Sequence, residues 1–495
     1  MDPDVAASEE QGKPAPAAVV PAGSVSGETD VLIVGGGVCG TALLFELARY
    51  TDLGRLTLVE RRDRLAQVNS RATNNSQTIH CGDIETNYTL EKALRVKSTA
   101  EMIVHYAGLL DPETRDRCVF RTPKMVLAVG ETECGVLRRR HAEFAPHFPA
   151  MQLLEKQDIA LWEPKVALRD GQLRQEEILA IGIRDTYTAV DYEALAESFV
   201  LQARTSLAAE GRSLDLRLGS EVRRIQPDGD GFVVELAPTA APAAVTRLRA
   251  RHVVVNAGGH SLLMAQQMGF GLHYSCLPVA GSFYFTPDLL RGKVYTVQND
   301  ALPFAAIHGD PDVRAPGQTR FGPTALLLPL LERYRLSSFW DFLRVLRLDW
   351  AVLAVFWQLF RVADIRNYIV RNLLFEVPWL RRRLFLQDAR KIVPDMRLED
   401  LRFAEGYGGI RPQLIDRSAR RLMLGEARIE AIPGLSFNVT PSPGGTCCLG
   451  NALRDLEDIV ARLGCGFDRA RLERELLSGA VSDPPQGEAE VAGRA

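Results

Sequence analysis

Paired cysteines are the first thing this sequence lacks. Its eight cysteines form no C-x-x-C pair, no zinc-ligand spacing and no C-x-x-C-H haem site, so they read as reduced thiols of a cytosolic protein. A large excess of one charge is also missing. The 59 Lys and Arg against 62 Asp and Glu leave a net charge of -3, which argues against a nucleic-acid binder. The first 27 residues, rich in Ala, Pro, Ser and Glu, have neither the basic n-region nor the apolar h-region of a secretion signal. They read as a disordered tail, as do residues 484–495. No repeat occurs at the periods of solenoids or propellers.

What is present is an ordinary globular composition, 46% hydrophobic and 24% charged over 495 residues. That length exceeds what one growing core accommodates, so two packed regions are expected. Near the start, the apolar run Val31–Val34 meets Gly35-Gly36-Gly37, and Leu43, Leu44 and Leu47 follow at helical spacing. This predicts strand, tight turn and helix, and Leu56–Val59 closes the unit as a second strand ending at Glu60.

Gly35, Gly37 and Gly40 form G-x-G-x-x-G after that strand, with Glu60 twenty residues beyond Gly40. Gly35 permits the turn, Gly37 lets backbone approach a pyrophosphate, and Gly40 lets helix and strand pack closely. Glu60 would accept hydrogen bonds from a ribose hydroxyl. The fingerprint alone fits NAD as well as FAD. A second strand, Val253-Val254-Val255, ends in Asn256-Ala257-Gly258-Gly259 and resembles the later FAD-contacting segment of two-domain flavoproteins. The loop Thr440–Thr446, with Gly444 and Gly445, precedes a helical pattern from Leu449 to Leu463 and can aim N–H groups at the anionic side of a reduced flavin. FAD is therefore the expected cofactor. With no cluster or haem site in the chain, its electrons must leave it directly.

The expected fold class is α/β, a Rossmann-like doubly wound dinucleotide-binding domain with a substrate domain of β-sheet plus helices. Residues 28–99, 185–260 and 402–480 are assigned to the first domain, and 100–184 and 261–401 to the second. Asp191 should cap a helix running to Ala209, stopped by Gly211. Strands follow at Leu214–Leu218, Glu221–Ile225 and Phe232–Leu236, read as antiparallel neighbours.

The stretch Asn74–Thr89 (NNSQTIHCGDIETNYT) closely resembles FAD-dependent malate:quinone oxidoreductases. The resemblance continues at Ile307–Pro311, Thr319–Ala325, Gly409–Gln413 and Asn438–Asn451, and covers nearly everything between the tails. In the better-known bacterial branch the first motif reads more like Asn-Asn-Ala-Gly-Thr-Gly-His; here it is Asn-Asn-Ser-Gln-Thr-Ile-His, with the His80 position kept. The same stretch also looks like the Asn-Ser-Gly-Val-Ile-His segment of L-2-hydroxyglutarate dehydrogenases. The resemblance implies oxidation of (S)-malate to oxaloacetate with electrons passed to a membrane quinone, and Asn75 and Ser76 as flavin contacts.

Such chemistry needs a base for the hydroxyl proton and cations for two carboxylates. His308 is the first candidate base and His80 the alternative. Arg411 is the first candidate anchor and Arg320 the second, because the planar guanidinium matches a carboxylate; Gln413 could supplement Arg411. The rival readings are an L-2-hydroxyglutarate dehydrogenase or related 2-hydroxyacid oxidase, and a non-catalytic flavin-binding scaffold docked at a membrane.

Residues 330–386 hold four of the five tryptophans, six phenylalanines and ten arginines against five acids. The longest uncharged run there, Trp350–Phe360, is far short of the roughly 20 residues that cross a bilayer. The segment suits an interfacial surface on the inner face of the cytoplasmic membrane, a helical layer packed on the substrate domain or a dimer interface, and the quinone use that the resemblance implies favours the membrane.

Overall fold

The computed structural model describes residues 25–298, 307–375, 377–423, 426–441 and 443–479. Almost all of both expected tails lies outside them. Ser26 and Gly27, placed in the first tail by composition, are instead bonded to the sheet: Ser26 N–H donates to Arg247 O (2.8 Å), and Gly27 O accepts from Arg249 N–H (3.0 Å).

The nucleotide-binding unit forms as the apolar pattern dictates. Strand β1 (Glu28–Val34) leads through the glycine turn into helix α1 (Val38–Tyr50) and back to strand β2 (Arg55–Val59). Val31 and Ile33 pack on one face of the sheet, and Leu32 and Val34 on the other. A strand apolar at every position is thus buried from both sides. Parallel strands run in the order Ser213–Arg217, β2, β1, Thr246–Val255 and Leu435–Val439. On its edge away from β1 the long strand Thr246–Val255 serves two partners. Its first half pairs antiparallel with Gly231–Pro238, and Val253–Val255 pair parallel with Leu435–Phe437.

The antiparallel expectation holds for Ser220–Asp228 with Gly231–Pro238, but not for Ser213–Arg217, which lies parallel to β2. The helix Tyr192–Ala209 between them acts as a crossover, and a crossover returns its strand parallel. That helix is capped by the Asp191 side chain, which accepts from Glu193 N–H and Ala194 N–H.

One face of this sheet carries α1, Tyr192–Ala209 and Cys448–Leu463, joined at a cluster of Phe45, Tyr106 and Phe199. Tyr106 belongs to the helix Leu90–Gly108, so residues 100–118, assigned above to the substrate domain, contribute Ala100, Ile103, Tyr106 and Cys118 to the nucleotide-binding core. The other face packs against the helix Gly259–Gln267 and a four-stranded sheet in which Tyr274–Ala280 pairs with Ile410–Asp416. That pairing joins residues on both sides of the boundary drawn at 401.

The second large sheet runs Arg402–Phe403, Tyr284–Pro287, Gln318–Gly322, His308–Pro311, Lys293–Thr296, Lys124–Val129, Ile178–Ile183 and Gln152–Leu154. Met125, Leu127, Val294 and Phe321 bury one face under the helix Arg381–Ile392. Alternation puts Lys124, Lys293, Tyr295, His308, Asp310 and Arg320 on the opposite face, also buried.

The basic aromatic segment divides. Arg381–Ile392 is packed inward through Phe385, Ala389 and Ile392, with Phe385 stacked on Tyr284 at 4.0 Å and the Arg381 guanidinium over Phe403 at 3.7 Å. Three earlier helices, Ser338–Leu346, Trp350–Arg361 and Ala363–Leu374, form a separate layer. Among the described residues no helix is long and apolar enough to cross a membrane.

Two measurements test this account. Phe199→Ala should lower the stability seen in urea titration by about 3–5 kcal/mol, the usual cost of deleting a buried ring. The second concerns Asp455 on the helix Cys448–Leu463, whose Oδ2 accepts from Asn438 Nδ2 at 2.6 Å. Burial pushes its carboxyl up to about 6, against the opposing effect of Arg428. Folding therefore favours the protonated form, and this contribution is present at low pH and lost as pH rises from about 4 through about 6. The thermal midpoint of Asp455→Asn should fall less over that window than the parent's.

Candidate functional site

A cavity of about 770 Å³ runs along the carboxyl ends of the parallel strands, from Glu60, Glu221 and Thr239 at one end to His80, Phe283, Pro323, Arg411 and Gly445 toward the other. Its floor is the glycine turn. Gly35 has φ +112°, and a Cβ there would stand 2.4 Å from Asn256 O. A Cβ on Gly40 would stand 2.0 Å from Gly35 O. Only glycine fits at either position, and Gly40 acts behind the cavity wall, as a packing contact. Gly37 lines the cavity at the start of α1.

Glu60 accepts from Gly36 N–H (2.7 Å) and Arg62 N–H (2.7 Å), which fixes its carboxylate on the wall. Asn256, Ala257 and Gly258 form the opposite wall, with Asn256 Oδ1 accepting from Asn438 Nδ2 at 3.0 Å. Gly444 and Gly445 close a third side; a Cβ on Gly445 would strike the Tyr192 ring at 2.8 Å. Thr446, expected among the cofactor contacts, lies just behind. It is buried, and its Oγ1 accepts from His80 N–H (3.1 Å) and meets Tyr192 OH (3.0 Å). Cys39 also faces the cavity, its Sγ 3.6 Å from Gly444 O, with burial pushing the thiol up to about 12.

The segment Asn74–Glu85 passes through the centre. Asn75 and Ser76 line the cavity, and Asn75 also ties the turn by donating to Asn69 O (3.1 Å) and Arg71 O (2.9 Å) and accepting from Gln77 N–H (2.9 Å). The buried sheet face anchors this segment from behind. Lys293 Nζ reaches Thr78 Oγ1 (3.2 Å), Ser76 O (3.4 Å) and Asp310 Oδ2 (3.4 Å). Lys124 Nζ pairs with Asp83 Oδ2 at 2.7 Å. Arg140 donates to the carbonyls of Gly82, Glu85, Thr86 and Tyr88. Burial and the nearby Arg320 lower the Lys293 pKa against the pull of Asp310, whereas Asp83 overcomes burial and raises that of Lys124.

The two candidate histidines sit differently. His80 is on the cavity wall with Nδ1 2.8 Å from Glu85 Oε1. Burial pushes Glu85 up, but the hydrogen bond and charge of His80, with Lys124 adding to them, hold it below the usual carboxylate value. His308 is buried off the cavity, stacked on Tyr295 at 4.2 Å with Nε2 3.3 Å from Asp310 Oδ1.

The arginines divide in the same way. Arg411 lines the cavity from the strand Ile410–Asp416, seated where Ile410 N–H donates to Asn69 Oδ1 (3.1 Å) and Gly408 N–H to Thr73 O (2.9 Å). Arg320 is fully buried between Asp310 (3.6 Å) and Asp312 (3.2 Å), its guanidinium 4.4 Å from the centre of the cavity-lining Phe283 ring. Gln413 is buried and off the wall.

Sequence reasoning missed Asn69, Ser70, Tyr192 and Phe283 on the wall and Lys124, Lys293 and Arg140 behind it. Ser70 Oγ accepts from Val38 N–H at 3.0 Å, on the first turn of α1. The one available signal was lysine at the head of apolar strand patterns, Lys124-Met125-Val126-Leu127 and Lys293-Val294-Tyr295.

The residues present fit FAD. Two glycines have no room for a Cβ, the α1 N-terminus opens on the cavity, and a fixed carboxylate stands at its far end.

Comparison with known proteins agrees. Among solved structures the chain is similar to glycine oxidase of Geobacillus kaustophilus (TM-score 0.59, 19% identity, 92% of this chain and 100% of that one). It is also similar to the FAD-bound L-alpha-glycerophosphate oxidase of Mycoplasma pneumoniae (TM-score 0.56, 18% identity, 92% and 99%). At those identities the likeness is one of fold. Among curated proteins it is 46% identical over 456 residues to a probable malate:quinone oxidoreductase of Campylobacter jejuni, covering 91% of this chain and 99% of that protein. It is 43% identical over 455 residues to the malate:quinone oxidoreductase of Helicobacter pylori, covering 91% and 98%. The family model described as malate:quinone oxidoreductase matches residues 27–431. With this fold, this cavity and these relatives, the chain belongs to the malate:quinone oxidoreductase family, FAD enzymes that couple oxidation of malate to reduction of a quinone.

Proposed function

We propose that (S)-malate is oxidised to oxaloacetate in the part of the cavity bounded by His80, Phe283 and Arg411, with His80 as the base. The observation that carries this reading is the His80–Glu85 pair on the cavity wall. Glu85 engages Nδ1, so the neutral ring presents the Nε2 lone pair to the cavity. Nε2 takes the proton of the C2 hydroxyl, and the Glu85 carboxylate stabilises the imidazolium that forms. Arg411 lines the cavity and is the natural partner of a substrate carboxylate, since its planar fork can donate two parallel hydrogen bonds. Arg320, Lys293 and His308 act from behind the wall, holding Asp310 and the Ser76–Thr78 backbone in place.

Gly35, Gly37, Glu60, Asn75, Ser76, Asn256, Ala257, Gly258, Gly444 and Gly445 would hold the cofactor. When bound, FAD would supply the acceptor for the C2 hydride and the link to the quinone. Because that quinone dissolves in lipid, the chain works as a peripheral protein on the inner face of the cytoplasmic membrane.

The two histidines are separable by stopped flow. Anaerobic bleaching of the bound flavin by malate should slow by about 10²–10⁴-fold in His80→Asn, with flavin retained, and far less in His308→Asn. Equal losses in both would sink the assignment of the base. Arg411→Met should lower kcat/KM for malate by roughly 30- to 150-fold, as loss of a charge-assisted bidentate contact does. A fall below about threefold would remove Arg411 from the substrate site.

A further inference from the structure

The helix Trp350–Arg361 is apolar on two opposite faces. Val352, Val355, Phe356 and Leu359 pack onto the core, while Trp350, Leu353, Trp357 and Phe360 point outward at helical spacing with 86%, 41%, 67% and 42% of their surfaces exposed. A helix hydrophobic all round belongs inside an apolar medium. Its neighbours extend the outer face. Trp340 and Leu343 stand out from the helix Ser338–Leu346, and Val370, Leu373 and Leu374 from Ala363–Leu374. Isolated exposed apolar residues need no explanation; four on one face of a single helix, two of them tryptophans, with further exposed apolar residues on the helices before and after it, mark an interaction surface.

The charges on this layer indicate what covers it. Two of its acids are used internally: Asp341 pairs with Arg344 (3.3 Å), and Asp349 caps Val352 N–H (2.9 Å) and pairs with Arg417. Arg347, Arg361 and Arg366 are exposed and make no ion pair among the described residues. Exposed arginines beside an aromatic apolar face complement anionic headgroups over an acyl phase.

The layer is also part of the cavity's rim. Leu331 and Glu332, and then Asp341 and Arg344 of the first helix, line the cavity. Arg333 donates to Ser282 Oγ (2.6 Å), Tyr334 OH donates to Tyr407 O (2.6 Å), and Asn372 Oδ1 of the third helix accepts from Ala325 N–H (2.7 Å) beside Pro323.

We propose that the outer face of Ser338–Leu346, Trp350–Arg361 and Ala363–Leu374 docks on an anionic phospholipid bilayer, with Trp350 and Trp357 inserted, and thereby sets the cavity rim against the phase that delivers the quinone. This rests on the quinone reading above. The packed helix Arg381–Ile392 takes no part.

The test uses the full chain with FAD bound. Co-sedimentation with phosphatidylcholine vesicles, with and without phosphatidylglycerol, is measured alongside malate-driven reduction of a water-soluble short-chain quinone and of a long-chain quinone held in the vesicles. The parent should bind the anionic vesicles more tightly, and salt should weaken that binding. Trp350→Ser/Trp357→Ser should bind at least about tenfold more weakly and lose long-chain quinone reduction to a similar extent, with the short-chain rate within about twofold. Arg347→Glu/Arg361→Glu/Arg366→Glu should lose about a hundredfold on anionic vesicles and little on neutral ones. Parental vesicle binding by the tryptophan variant would overturn the proposal. So would a lipid-free dimer that the same variant dissolves, which would make a second copy the occupant. Failure of the parent on the short-chain quinone would instead count against the catalytic reading and leave the vesicle result standing.

Discussion

The site depends on a sheet face that carries charge where a core would normally be apolar. Lys124, Lys293, Asp310, Asp312 and Arg320 are all buried, and removing either partner from such a pair typically costs about 3–5 kcal/mol. These groups are tolerable because cations and carboxylates alternate along the face and because the backbone of Ser76–Glu85 supplies further acceptors. The dependence is mutual. The segment that bears His80 has its shape because lysine and arginine reach it from behind, and those cations find their partners in the segment and its carboxylates.

The nucleotide-binding half was legible because its constraints are local. A glycine turn between an apolar strand and a helix, with an acid at the end of the next strand, can be read from consecutive residues, and Gly35, Gly37, Glu60 and Asn256–Gly258 stand on the cavity wall. The catalytic half depends on which face of a strand a residue takes. His308 and Arg320 lie on the buried strand face behind the cavity wall, His308 stacked on Tyr295 and Arg320 beside the wall's Phe283 ring, and no local pattern encodes that placement. Lys124 and Lys293 escaped for the opposite reason: a lysine at a strand end looks like a solvated charge until its partner, distant in sequence, is known.

The segment 330–386 shows where composition misleads. Its aromatic and basic residues read as one unit, yet tertiary packing divides them. Phe385 stacks into the second sheet and Arg381 lies on Phe403, whereas Trp350 and Trp357 are left largely exposed. Within the one segment, Arg381–Ile392 carries five basic residues and no tryptophan, and Trp350–Arg361 two tryptophans and one arginine, and a complementary surface is available only to the first.

The buried thiol of Cys39 bears on the durability of the site. A thiol held at about 12 on the wall of the cavity carries almost no thiolate at neutral pH, and the thiolate is the form that attacks electrophiles. A sulfur can therefore sit beside a redox carrier through many turnovers without becoming a nucleophile toward it. Its hydrogen bonds to Thr440 and Gly444 make it a spacer between the first turn of α1 and the Pro-Gly loop, chemically silent where a more exposed cysteine would be a point of oxidative failure.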